Sequence, residues 1–266
     1  MFQSKDFMFN NISNKDMGVI MIYSELPTKI LGVQKTGKSN TTTSRKHYLG
    51  NSFNSNLQIP SFNIEFTFVS KGETVIMPTT EHKIKVLNWL MPSDGQYKAF
   101  IPEENGLEYY VKVTSMSEQK YQNGIYVTLT FQMNSPYTFI PMVVKNVNLT
   151  DLPNQTATFN IDNISNVAPT YKPIIKFEAS PYSTKPTNFT VINNTTGDKM
   201  TISDIQPSEV IYINNRREFI NSSLDDIFRL DNMTGNFIEM LQGKNSLTFE
   251  GDGKVFFMAH FPTLMF

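Results

Sequence analysis

Two segments of this chain alternate without a fault. In Phe62-Asn63-Ile64-Glu65-Phe66-Thr67-Phe68 apolar and polar residues take strict turns. Ile125-Tyr126-Val127-Thr128-Leu129-Thr130-Phe131-Gln132-Met133 repeats the pattern, with Tyr126 on the wetter side. Successive side chains of an extended chain point to opposite faces, so period two prescribes a sheet with one buried and one wet face. Such a sheet is antiparallel rather than a parallel sheet covered on both sides. Composition agrees. There are 21 Phe, a residue that favours strands, and apolar residues make up 39% of the 266, enough for a sizeable core.

Only Glu81 to Leu90 reads as a helix. Thr79 or Thr80 can cap it, Glu81 complements the dipole, and Pro92 stops it. Ile84, Leu87, Leu90 and Met91 form the expected core stripe, with Trp89 off its centre and covering a sheet edge. Further strands are expected at Tyr97 to Ile101 and Leu107 to Thr114. Two prolines in Asn134 to Pro141 break the ladder and place a boundary there, giving domains 1–140 and 141–266. The second domain is expected to be a sandwich or jelly-roll-like unit. Its strands are Thr156 to Ile161, Pro173 to Ala179, Asn188 to Ile192, Glu209 to Ile213, Phe237 to Leu241, Leu247 to Glu250 and Val255 to His260. Asn193 to Asp198 reads as a hairpin turn in which Asn and Gly can take positive φ.

The chemistry-bearing residues argue against an enzyme. Without cysteine, disulfides, thiolate catalysis and Cys-based zinc sites are excluded. Gly32 to Ser39 fits the phosphate-binding pattern G-x-x-x-x-G-K-[ST] in full. The next residues, Asn40-Thr41-Thr42-Thr43-Ser44, make a poor first helix, and no partner strand ends in Asp, so a P-loop NTPase is rejected. The stretch from Gln34 to Leu57 reads instead as a long basic loop. Its Lys35, Lys38, Arg45, Lys46 and His47 suit an assembly arm that orders against a neighbour. His47, His82 and His260 lack ligand spacing, and the pair Asp225-Asp226 reads as solvated, so no metal and no cofactor is expected. Arg216-Arg217 follows a strand, either as a solvated hairpin or as a patch for docking a partner. A formal net charge of −1, from 23 basic and 24 acidic side chains, gives no strong attraction to nucleic acid or an anionic membrane. No apolar run approaches ~20 residues, so no membrane insertion is expected. The start Met1 to Asp6 lacks an apolar signal region, which points to synthesis in a cytoplasm.

Two bookends remain: Phe7-Met8-Phe9-Asn10-Asn11 leading to Met17-Gly18-Val19, and Gly235-Asn236-Phe237 leading to Gly243-Lys244-Asn245-Ser246-Leu247-Thr248-Phe249. Between them, in order, stand Asn88-Trp89-Leu90, Tyr97-Lys98-Ala99-Phe100, Tyr109-Tyr110-Val111-Lys112-Val113, Pro136-Tyr137 and Ile192-Asn193-Asn194-Thr195-Thr196-Gly197. In order and spacing this series resembles the phage distal tail protein family, the ring-forming baseplate hub of siphovirus-type tails. The Gln34–Leu57 stretch matches it least.

The resemblance implies a mainly β structural virion protein and no catalysis. The N-terminal domain would be a tail-tube-like β-barrel or sandwich with one helix, six copies closing into a homohexameric ring. The C-terminal domain would be a galectin-like β-sandwich outside the ring. It also implies partners: the tail tube protein, a tail-associated lysin, tail fibre or baseplate hub protein, and receptor-binding proteins. DNA would pass non-specifically through the lumen. The address implied is the tail tip of a virion assembled in the bacterial host cytoplasm. A rival reading is a lectin-like carbohydrate-binding sandwich, in which Tyr182 or Tyr171 would be exposed to stack on sugar.

Overall fold

Both alternating segments are strands of one antiparallel sheet. The computed structural model describes residues 6–24, 59–70 and 74–264, and the chain divides into two compact units between Ile140 and Pro141. The basic stretch with Lys35, Lys38, Arg45, Lys46 and His47, and the phosphate-binding pattern within it, lie outside the described residues.

In the first unit the strands are β1 (Phe7–Phe9), β2 (Ile12–Ser13), β3 (Val19–Ser24), β4 (Ser61–Phe68), β5 (Lys98–Pro102), β6 (Tyr109–Tyr121), β7 (Gly124–Met133) and β8 (Thr138–Phe139). The first seven form a sheet in the order β2-β1-β5-β6-β7-β4-β3. The alternation sorts itself as the pattern requires. Phe62, Ile64, Phe66 and Phe68 of β4 and Ile125, Val127, Leu129, Phe131 and Met133 of β7 are buried. Rings carry much of this core: Phe62, Phe100 and Phe131 lie within 5.8 Å of one another, centroid to centroid. Aromatic pairs of this kind add to what area burial contributes.

The helix α1 runs Thr80–Leu90, and the Thr79 hydroxyl caps it by accepting from the His82 N–H at 3.2 Å. The expected stripe is corrected. Val86, Trp89 and Leu90 are the buried residues, whereas Ile84 and Met91 face solvent. Trp89 is a core residue. It stacks on Phe7 and donates its indole N–H to the Phe9 carbonyl at 2.9 Å. That bond, and one between His82 Nε2 and the Met17 carbonyl at 2.7 Å, choose the buried face, rotating the helix away from its aliphatic stripe.

The second unit holds β9 (Val143–Asn148), β10 (Thr156–Asn163), β11 (Thr170–Tyr171), β12 (Ile174–Ala179), β13 (Thr187–Asn193), β14 (Lys199–Ile205), β15 (Val210–Asn214), β16 (Phe219–Ser222), β17 (Met233–Gly235), β18 (Met240–Leu241), β19 (Gly243–Glu250), β20 (Gly253–Ala259) and β21 (Pro262–Thr263). Two five-stranded sheets, β10-β19-β13-β14-β17 and β16-β15-β12-β20-β9, face each other. Phe177 of one stacks on Phe189 of the other, 4.3 Å between centroids. The molecule is thus mainly β and antiparallel, as the alternation requires. The β13–β14 hairpin turns where expected, but only Gly197 (φ +83°) takes the left-handed conformation there. The strand expected from Phe237 to Leu241 shrinks to β18, because the Ile238 N–H is taken by the Asn215 side chain at 2.9 Å instead of a strand partner.

Candidate assembly surface

Among the described residues, the longest exposed run of the first unit is half of a strand. β6, expected to end at Thr114, runs on to Tyr121, and every residue from Thr114 onward is exposed. Its lower end is paired on both sides, to β5 at Tyr109–Val111 and to β7 from Val111. Beyond that, among the described residues, Lys112–Tyr121 pairs with β7 alone. Among the described residues the distal sheet is therefore four strands wide, β6-β7-β4-β3, and its two outer edges are β6 and β3.

The hairpin geometry shows which backbone groups face outward. A two-residue turn closes on a hydrogen-bonded pair, here Tyr121 and Gly124, and bonded and non-bonded pairs alternate from there. Tyr121, Gln119 and Ser117 accordingly bond to β7. Lys120, Glu118 and Met116 aim their N–H and C=O groups away from it. An edge of this length is a template for another strand unless something blunts it. The bulge between Val113 and Ser115 and the two lysines, Lys112 and Lys120, blunt it only in part. The turn itself is Gln122-Asn123, and Gly124 opens β7, where an added Cβ would collide with the Val75 side chain.

The wet face of this four-stranded region carries hydroxyls and amides. By register it presents Asn63 and Glu65 from β4, Tyr126, Thr128, Thr130 and Gln132 from β7, and Lys112, Ser115, Ser117, Gln119 and Tyr121 from β6. Glu65 and Lys112 are the two charged residues in that set. Ser115 donates to Thr130 at 2.8 Å, and Thr130 donates to Asn63 at 2.9 Å, so the hydroxyls satisfy one another across three strands.

In the second unit, Arg216 and Arg217 both lie in the turn between β15 and β16, Arg216 half-buried and Arg217 exposed. The Arg217 N–H is held by Asn214 Oδ1 at 3.0 Å. Asp225 and Asp226 face solvent, and His82 and His260 stand apart; no three metal-type ligands converge among the described residues. Tyr182 is 89% exposed, but Tyr171 is half-buried against Phe261, its hydroxyl accepting from the His260 N–H at 2.8 Å. Of the two tyrosines that the lectin reading offers to a sugar, one is therefore a structural residue.

One buried charge pair leaves no mark in the sequence. Arg229 Nε and Nη2 reach the two oxygens of Glu209 at 2.7 and 2.5 Å; Glu209 also accepts from Ser222 at 2.6 Å and from the Gln206 N–H at 2.8 Å. Burial pushes the Glu209 carboxyl up, but the hydrogen bonds from Arg229, Ser222 and Gln206 outweigh it and hold it below its ordinary value.

Over residues 2–135, which hold all of the sheet and helix just described, the chain matches a family model described as phage tail protein N-terminal domain. The chain belongs to this phage tail family. No curated protein matches it in sequence. Among solved structures it resembles the Dit protein (gp 19.1) of phage SPP1, described as a paradigm of the hub adsorption apparatus in phages that infect Gram-positive bacteria. That likeness has a TM-score of 0.53 at 13% identity and covers 97% of this chain and 100% of that one. The baseplate of phage P2 in its activated conformation with calcium aligns at a TM-score of 0.49 and 8% identity, covering 96% of this chain and 98% of that one. At such identities the likeness to Dit is one of fold, and it extends through both units of this phage tail family member.

Proposed function

We propose that this phage tail protein is a distal tail hub. Six copies close into a ring that joins the tail tube to the baseplate and lets DNA through. The observation that carries the reading is the pair of outer edges on one four-stranded sheet, β6 on one side and β3 on the other. Pairing β6 of one copy with β3 of the next is a head-to-tail contact. Such contacts form rings when the rotation closes. The wet face, hydroxyl-rich and balanced in charge with one cation, Lys112, and one anion, Glu65, in its register set, suits a lumen that passes DNA without gripping it. A structural role without catalysis accords with the same reading.

The second unit is proposed to be the outward, galectin-like domain that meets tail fibre, lysin or receptor-binding proteins, with Arg216 and Arg217 on its rim. The basic stretch carrying Lys35, Lys38, Arg45, Lys46 and His47 is proposed, on sequence alone, as an arm that orders on the neighbouring subunit or the tail tube.

Mass measurement and negative-stain imaging of the purified chain, alone and with its tail tube protein, test the proposal. Closed particles of six 30.4 kDa chains, about 182 kDa, are expected. A monomer at every concentration and with the tube protein present would overturn it.

A further inference from the structure

The loop joining β16 to β17 turns its apolar side chains outward. Leu224, Ile227, Phe228 and Leu230 are between 37% and 61% exposed, and Asp225, Asp226 and Asp231 stand exposed among them. Contiguous apolar surface on a soluble protein marks a contact site. This loop is also not free to tuck those side chains away. Arg229 is 3% exposed and sits between Phe228 and Leu230, locked inward by Glu209. Its Nη1 adds longer bonds to the Ser203 carbonyl (3.5 Å) and Asn232 Oδ1 (3.4 Å). A buried ion pair returns little net stability against its desolvation. What this pair secures is position: with Arg229 held in, its sequence neighbours are held out.

Next to the loop lies an open hollow of about 450 Å³, walled by Lys172, Glu218, Leu230, Met233, Phe237 and Glu239. Its walls mix the apolar Leu230, Met233 and Phe237 with the charged Lys172, Glu218 and Glu239. Lys172 sits 3.0 Å from both Glu218 and Glu239. Around the loop and the hollow, Glu218, Asp225, Asp226, Asp231 and Glu239 outnumber the nearby cations Lys172, Lys199, Arg216 and Arg217. A second copy presenting this same face would meet like charge. A partner that fits brings an apolar side chain to Leu224, Ile227, Phe228 and Leu230 and positive charge to the acidic residues around them.

We infer that this face docks a segment of a different protein, one that places an aromatic or aliphatic anchor beside lysine or arginine. The inference does not depend on ring closure, since a monomeric chain keeps this face intact.

The test is a selection of displayed 12-residue peptides on the full-length chain. Binding of the winners is then measured to the parent chain, to Phe228→Ser and to the double variant Asp225→Lys/Asp226→Lys. Winners should pair an apolar anchor with Lys or Arg and bind each variant at least tenfold more weakly. All three chains should keep the same circular dichroism, because the altered residues are exposed. A further variant, Glu209→Leu/Arg229→Met, replaces the buried pair by apolar side chains; it should stay folded yet weaken the same peptides, since the loop loses its lock. Winners that are acidic or uncharged, or that bind the variants unchanged, would overturn the inference. So would self-association of the parent chain that Phe228→Ser abolishes, because the occupant would then be a second copy.

Discussion

Trp89 donates to the Phe9 carbonyl and stacks on Phe7, and it is the one tryptophan in the chain. Trp89→Phe keeps the ring but leaves a buried carbonyl without its donor, which should cost about 1–3 kcal/mol in denaturant unfolding followed by circular dichroism. Gly18 is confined in another way. It holds φ +64°, and an added Cβ would lie 3.0 Å from the His82 ring. Gly18→Ala should cost about 1–2 kcal/mol from backbone handedness alone, read as a lower unfolding midpoint. Glu209 supplies a pH signature. Its carboxyl lies below its ordinary value in the folded state, so its contribution is complete above the unfolded value and is lost as pH falls through the folded one. Glu209→Gln should flatten that acid limb in a pH series of thermal melts, and Glu209→Ala, which strands Arg229, should cost about 3–5 kcal/mol at neutral pH. None of this pairing is legible in the sequence, because Glu209 and Arg229 are twenty residues apart on different elements and no local period links them.

At the scale of elements, β4 and β7 are legible because one face of each is buried along its whole length, so their composition alternates. The helix is legible in its bounds and its cap. Its buried face is not, since Trp89 and His82 choose it through bonds to the Phe9 and Met17 carbonyls on loops and strands distant in sequence. The outer half of β6 is illegible for the opposite reason: with both faces exposed it has no alternation to read. Its edge makes a prediction of its own. Proline at Met116 and Lys120 removes two outward N–H groups while sparing the bonds to β7. The double variant Met116→Pro/Lys120→Pro should remain folded by circular dichroism and fail to form closed particles by negative stain. Normal rings from that variant would move the subunit contact away from this edge.

For the whole molecule, the lone tryptophan separates the two units in a single experiment. Trp89 fluorescence follows the first unit, while far-ultraviolet circular dichroism follows both. A fragment spanning residues 141–263 contains both five-stranded sheets and their shared Phe177–Phe189 stack, so it should unfold cooperatively on its own. The order in which strands lie in the first sheet carries one more consequence, for synthesis. β1 near the start of the chain pairs with β5 about ninety residues later, and β4 waits for β7. The local hairpin β6–β7 is nearly the last piece of that sheet to be made. At translation speeds of roughly 5–20 residues per second, Phe7, Phe9, Phe62 and Phe66 spend on the order of ten seconds with no complete sheet to join. Until Met133 has left the ribosome those apolar side chains have no complete sheet to cover them, and the nascent first unit is expected to be at its most prone to aggregation.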